Sequence, residues 1–356
     1  MKANMKKTLL YISSLMLLAA CEQDVVYNVD YKVLLDKGNT YYAGTPVKFN
    51  FDGDVDNLIF YSGEIGHMYE FRNRNEVPLE DVAKVDLSLD IQGRYGYADG
   101  LKIYISDSFD GLNGPDGGAG NGSVDDNAAA DVAIVKEMSD AEAEGRMEEL
   151  GWTRLDYKDG ASLQWTHERY QEIEKFKENF CIAFHFRPRL SGNSAQRTYW
   201  VNGAMNMQFG TVDEAGEITE LTGIADMDLS QMEWTSVILH EGEPDPYYKN
   251  GEFACVNFNK TDAPLVFQGA SQANWPTQID LWCISTPTRL NKVSSDTGTV
   301  IKDMQNYMSS FEYTWDEPGT YKASFVGINA NYAGSSKEVH EFRINILGRV
   351  PVIDRD

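Results

Sequence analysis

The sequence predicts an all-β protein of two β-sandwich domains, one of them split in the chain by insertion of the other. Short segments with period-two apolar alternation recur from Val29 to Leu347, turn residues cluster between them, and helical periodicity interrupts them at only a few places. A parallel α/β sheet would need a helix after nearly every strand, so this pattern favours antiparallel sheets packed face to face. The length of 356 residues suits about two domains, and 42% hydrophobic with 12% aromatic content is ample for two cores.

Taken in order, Val29, Tyr31 and Val33 alternate, then Val47, Phe49 and Phe51, and Leu58–Tyr61 is a continuous apolar run. Gly44-Thr45-Pro46 and Asp52-Gly53-Asp54 mark the turns between them. At the far end Phe311–Trp315, Tyr321–Ile328 and Val339–Leu347 read as strands, with Pro318-Gly319 turning the first pair. Three strands leave an apolar face bare, whereas six or seven close into two sheets, so residues 26–75 and 288–350 are expected to form one split sandwich.

Residues 76–287 are long enough to be a domain of their own. Val85, Leu87, Leu89 and Ile91 alternate, Leu101, Ile103 and Ile105 follow, and further strands read at Cys181–Phe186, Met205–Phe209, Trp234–Leu239, Phe253–Phe258 and Leu281–Ile284. Seven or more evenly scattered strands point to a jelly roll. Helix is expected over Met138–Leu150, and over His167–Phe180, where Tyr170, Ile173, Phe176 and Phe180 share a face against a sheet edge. The glycine-rich stretch 111–127 has no large side chain but Leu112 and reads as an exposed loop.

Residues 1–20 have the form of a lipoprotein signal peptide. Lys2, Lys6 and Lys7 precede an apolar run too short to span a membrane, which ends on Leu18-Ala19-Ala20-Cys21. Cleavage there leaves Cys21 as the lipidated residue and 21–25 as anchor and tether. It also removes three lysines and no acids, so the formal charge falls from −24 to −27. That field disfavours nucleic acids and anionic lipid surfaces and admits neutral polymers and divalent cations. Membrane association is therefore expected through the lipid alone. The remaining Cys181, Cys255 and Cys283 lie inside apolar runs and read as buried thiols, although an exported protein could oxidise one pair. No CxxC or HExxH spacing suggests a transition metal.

Three runs, FYSGEIGHMYEFRNR (Phe60–Arg74), LKIYISDSFDG (Leu101–Gly111) and FEYTWDEPGTYKASFVGINAN (Phe311–Asn331), together resemble a family of uncharacterised Bacteroidetes surface lipoproteins encoded beside SusC-like and SusD-like proteins in polysaccharide-utilisation loci. The last run is also similar to the end of a PKD-type Ig-like domain, and Ser106-Asp107-Ser108-Phe109 after a strand resembles the opening of a galactose-binding-like jelly roll. The resemblance implies a split PKD/Ig-like sandwich with an inserted jelly roll. It also implies an outer-membrane, outward-facing glycan-binding accessory protein of a SusCD-type uptake complex, with no assigned active site. The acidic run Glu22, Gln23 and Asp24 after the anchor resembles a surface-export signal of such lipoproteins.

Sugar rings stack their C–H faces on aromatic rings while their hydroxyls seek Asn, Asp, Gln and Arg. Candidate binders of a polysaccharide or oligosaccharide are Trp275 with Asn274 and Gln278, the pair Tyr247 and Tyr248, and Trp165. Trp152, Trp200, Trp234, Trp282 and Trp315 lie in or beside strands and read as core. Asp107, Asp110, Asp116, Asp125 and Asp126 crowd one loop and offer ligands for a structural calcium ion, although no cofactor is required by the reading. Asp52, Asp54 and Asp56 fail the EF-hand pattern, with Asn57 and Gly63 where Gly and Glu are needed. Glu64 and His67 make an acid/base couple on paper but read as turn residues, and no catalytic motif is present, so an enzyme is not expected. The alternatives are a structural or adhesive module for a protein partner, with a broad apolar patch, and a glycoside hydrolase, with two carboxylates about 5–10 Å apart.

Overall fold

The computed structural model describes residues 26–112, 129–143, 145–190, 195–240, 265–269 and 278–349. Four strands come first: β1 (Asp30–Leu35), β2 (Thr40–Tyr42), β3 (Val47–Asp54) and β4 (Asn57–Tyr61). Ten follow: β5 (Val82–Arg94), β6 (Leu101–Ser106), β7 (Trp152–Leu155), β8 (Trp165–Tyr170), β9 (Cys181–Phe186), β10 (Thr198–Val212), β11 (Ile218–Asp228), β12 (Trp234–Ile238), β13 (Leu265–Phe267) and β14 (Leu281–Ser285). The helices α1 (Ala129–Asp140) and α2 (Arg146–Glu149) lie between β6 and β7. The chain closes with β15 (Thr299–Lys302), β16 (Ser310–Tyr313), β17 (Gly319–Asn331) and β18 (Gly334–Leu347). The protein is all-β, with its sheets packed as sandwiches.

Two compact units divide the chain, one made of the segments up to Arg74 and from Ser295 onward, the other of Asn75–Ser294. In the first, the sheet β1-β3-β16 faces the sheet β15-β4-β17-β18-β2. Alternation puts Tyr31, Val33, Val47 and Phe49 from the first sheet against Phe60, Phe325, Ile344 and Ile346 from the second. Pro318-Gly319 does not close the hairpin that the sequence led one to expect. It carries the chain from one sheet to the other, because β16 pairs with β3 while β17 pairs with β4 and β18. Gly63 (φ +81°) must be glycine, since a Cβ there would lie 2.6 Å from the Lys322 backbone nitrogen. Glu64 and His67 belong to this turn: Ser62 Oγ donates to Glu64 at 2.7 Å, and His67 N donates to Glu64 O at 2.8 Å.

In the second unit the open sheet β11-β10-β5-β8, with β13 on β10, faces the covered sheet β12-β14-β9-β6-β7. Connections cross between the sheets repeatedly, as in a jelly roll. Residues 288–294, assigned to the outer domain from sequence, lie with this unit: Leu290 is in its core, and Asn291 Nδ2 donates to Val77 O at 2.9 Å. The expected helix over His167–Phe180 is instead β8 followed by a short 3-10 turn at Glu174–Phe176. The apolar spacing from Tyr170 onward that mimicked a helix spans the end of a strand and that turn. The helix expected over Met138–Leu150 begins earlier, as α1, and breaks before α2. Leu112, placed in an exposed loop, is buried with Val135, Met138 and Trp152. The rest of the glycine-rich stretch and the strand at Phe253–Phe258 lie outside the described residues.

The two sheets of this unit are treated differently. β9 and β14 are buried along their whole lengths, as their continuous apolar runs demand. Their inner side chains join the sandwich core, and their outer ones (Cys181, Ala183, Trp282, Ile284) meet Val135 and Met138 of α1. Cys181 and Cys283 are free thiols, and burial pushes the Cys181 thiol up to about 12. Cys255 lies outside the described residues.

His185 locks the cover in place. It is 2% exposed, stacks on Trp282 at 4.4 Å, and has Nδ1 2.7 Å from Glu142 Oε1 and Nε2 2.7 Å from Asp280 Oδ1. Only the imidazolium can donate both bonds. Burial opposes that charge, but the bonds to Asp280 and Glu142 outweigh it and raise the pKa. For Glu142, burial acts upward, and the hydrogen bond and charge of His185, helped by Lys102, bring it down to about 2. The raised histidine gives stability fully present below about pH 6.5 and lost as pH rises through its folded value. The lowered glutamate gives stability present above about pH 4.5 and lost toward pH 2. Thermal melts from pH 5 to 9 should therefore show a fall on the alkaline side that His185→Gln lacks; parallel pH profiles for the two proteins would refute the clamp.

Candidate functional site

The open sheet buries only one face. Val85, Leu87, Leu89 and Ile91 of β5, with Tyr199, Val201, Met205 and Met207 of β10, point into the core. The intervening residues therefore face outward. Register then sets them in rows across the strands. Trp165, Gln92 and Trp200 form one row; His167, Asp90 and Asn202 the next; Arg169, Ser88 and Ala204 the third; and Asp86, Asn206 and Asp226 the fourth. Two tryptophans thus flank Gln92 on one face, about 10 Å apart by strand spacing.

Trp165 is 38% exposed, and Trp200, read from sequence as core, is half-buried on this outer face. Arg94 lies over the Trp200 ring at 3.4 Å and donates from Nε to Gln92 Oε1 at 2.6 Å. Gln92 in turn donates to Leu163 O at 3.1 Å, so the row between the tryptophans is fixed. In the next row His167 Nδ1 is 2.9 Å and Arg169 Nη1 3.0 Å from Asp90 Oδ1. Burial acts to raise the Asp90 pKa, and these two partners together lower it. Asn206 Nδ2 donates to Asp226 at 2.9 Å further along.

Beyond the tryptophan row, loops 95–100 and 157–164 carry Tyr95 and Tyr97, 60% and 50% exposed. Tyr95, Asp99 and Leu163 all have positive φ (60°, 69° and 67°), a backbone state that non-glycine residues avoid unless neighbours impose it. For Tyr95 and Asp99 the imposing group is a buried ion pair, whereas Leu163 is held by Gly93 O and Gln92. Arg197 Nη2 donates to Asp159 Oδ1 at 2.7 Å and to Gly160 O at 2.6 Å, while Nη1 donates to Tyr95 O at 3.2 Å. Tyr199 Oη donates to Asp159 Oδ2 at 2.6 Å and accepts from Gly100 N at 2.8 Å, and Asp99 N donates to Asp159 Oδ2 at 2.8 Å. Gly93 makes room: a Cβ there would meet the Arg197 guanidinium at 2.2 Å.

Of the residues singled out from sequence, Trp165 stands on this face. Gln278 does not; its amide is spent on Pro188 O and Ile279 O. Trp275, Asn274, Tyr247 and Tyr248 lie outside the described residues, as do Cys21, Asp116, Asp125 and Asp126. Asp107 and Asp110 are described, and among the described residues no group of three or more His, Cys, Asp or Glu side chains could hold a metal ion. Sequence reading missed Trp200, Arg94, Tyr95 and Tyr97. The signal for Trp200 was present, because Thr198, Trp200, Asn202, Asn206 and Gln208 alternate with Tyr199, Val201, Met205, Met207 and Phe209 once the strand is extended backward. A separate cleft of about 770 Å³ at the end of this unit is lined by Met207, Met227, Met232 and Arg289 and has no aromatic ring.

A family model described as a domain of unknown function, DUF5017, matches residues 20–141. No curated protein and no solved structure matches the chain. No helix among the described residues is long and apolar enough to cross a membrane.

Removing one member of the buried pair leaves the other charge uncompensated, which costs about 3–5 kcal/mol. Asp159→Asn and Arg197→Ala should therefore each lower stability by about that amount in denaturant titration, whereas Tyr199→Phe, which removes one donor, should cost about 1–3 kcal/mol. Losses below about 1 kcal/mol for both charge variants would contradict the assignment of this pair as the loops' support.

Proposed function

We propose that this protein binds glycan on the outer face of the open sheet and performs no hydrolysis there. The observation that carries the reading is the row Trp165–Gln92–Trp200 beside the row His167–Asp90–Asn202. An aromatic surface with hydroxyl-pairing side chains one row away is what a sugar chain requires. The exposed Tyr95 and Tyr97 extend that surface at the loop end. A non-catalytic role is in keeping with Asp90, whose carboxylate is spent on His167 and Arg169.

The lipobox at Cys21 supports attachment to the outer membrane by lipid, facing outward, with a SusC/SusD-like complex as the partner to which captured polymer is passed. Tethering many copies to one surface raises the effective concentration of polymer, so affinity at each site need not be high. A protein partner would instead favour a broad apolar patch, which this polar face does not offer.

Native affinity electrophoresis of the protein starting after Cys21, through gels carrying plant, fungal and host polysaccharides, tests the reading. Retardation by at least one polymer without release of reducing sugar is expected, with Trp165→Ala weakening it about tenfold or more at unchanged melting temperature. Absence of retardation across the panel would refute glycan binding. Sugar release would refute the non-catalytic part.

A further inference from the structure

We infer that the glycan taken by this face is acidic, with a sugar carboxylate seated on Arg94; this rests on the glycan-binding reading above. Arg94 is a stacked and aimed group rather than a mobile surface cation. Its guanidinium carbon lies over the Trp200 ring, 3.4 Å from the centroid, and Nε is spent on Gln92 Oε1, whose amide is itself fixed through Nε2 to Leu163 O. Nη1 and Nη2 make no hydrogen bond or ion pair among the described residues. Two fixed, parallel N–H donors match the two oxygens of a carboxylate, and the stack holds the fork in place before ligand arrives.

Arginine elsewhere on the same sheet is already committed. Arg169 is paired with Asp90 and Arg197 with Asp159. Arg189 lies 5.5 Å from the Tyr97 ring centroid, without the side-chain anchor that fixes Arg94 and without a carboxylate partner among the described residues. Two uncommitted arginines, each against an aromatic ring, thus mark the loop end of the face. A neutral sugar can use single N–H donors of an arginine, but a forked pair of fixed donors is matched in full only by a carboxylate. The net charge of −27 after cleavage, from −24 less three lysines, opposes a polyanion at long range, but screening over about 8 Å at physiological salt leaves the local arginines to decide.

The test is affinity electrophoresis at physiological ionic strength with polygalacturonate and alginate, each beside its own carboxyl-reduced form, and with the neutral panel. Retention by an acidic polymer, lost on carboxyl reduction, is expected. Arg94→Ala should weaken that retention about tenfold or more, and Arg94→Lys nearly as much, because lysine keeps the charge but not the fork, with both variants still folded by circular dichroism despite the lost bond to Gln92. Equal retention by an acidic polymer and its reduced form, or retention by neutral polymers only, would overturn the carboxylate inference and leave glycan binding standing. No retention by any polymer would overturn both.

Discussion

The inserted unit depends on a buried charge pair, Arg197 with Asp159. Taking both ions out of water is costly, and the pair is tolerable because its donors and acceptors reach Tyr199, Gly160, Tyr95 and Asp99. An apolar filler would pack as well but could not dictate backbone direction. The pair dictates it: two loops are tied to one guanidinium and one carboxylate, and Tyr95 and Asp99 are held by it in left-handed backbone. Gly93 is the matching steric concession in β5.

The same unit divides labour between its sheets. One is buried on both faces, its outer side roofed by α1 and fastened through His185 between Glu142 and Asp280. The other keeps a polar outer face with tryptophans in it. Burial of the first sheet supplies a rigid backing, and rigidity in the second comes at small entropic cost because its strands are held from behind. A face so held can present Trp165, Trp200 and Arg94 at fixed spacing, which suits weak, repeated contact with a polymer.

Much of the fold was legible in sequence because it follows from period-two alternation. Val85 to Ile91 announces a half-buried strand, and the unbroken run Cys181–Phe186 announces one buried on both sides. Trp165 was found because it stands among polar residues. Trp200 was lost because only the Met205–Phe209 end of β10 was read, and a tryptophan beside a tyrosine and a valine looks like core until the register is known. Arg197 and Asp159 were illegible for a different reason. They are 38 residues apart, and nothing local marks a charge that will be buried by pairing across loops. The false helix at His167–Phe180 arose where a strand's end and a 3-10 turn together imitate a 3.6-residue period.

The central claim is that ligand meets the outer face of the open sheet, and the seven tryptophans make it directly measurable. Indole N–H signals, assigned by single Trp→Phe variants, would be followed by NMR as oligosaccharides of a polymer that retards the protein in affinity gels are added to the protein starting after Cys21. The account predicts that Trp165 and Trp200 shift while the buried Trp152, Trp234, Trp282 and Trp315 stay still. Shifts confined to Trp275, or to none of the seven, would contradict it.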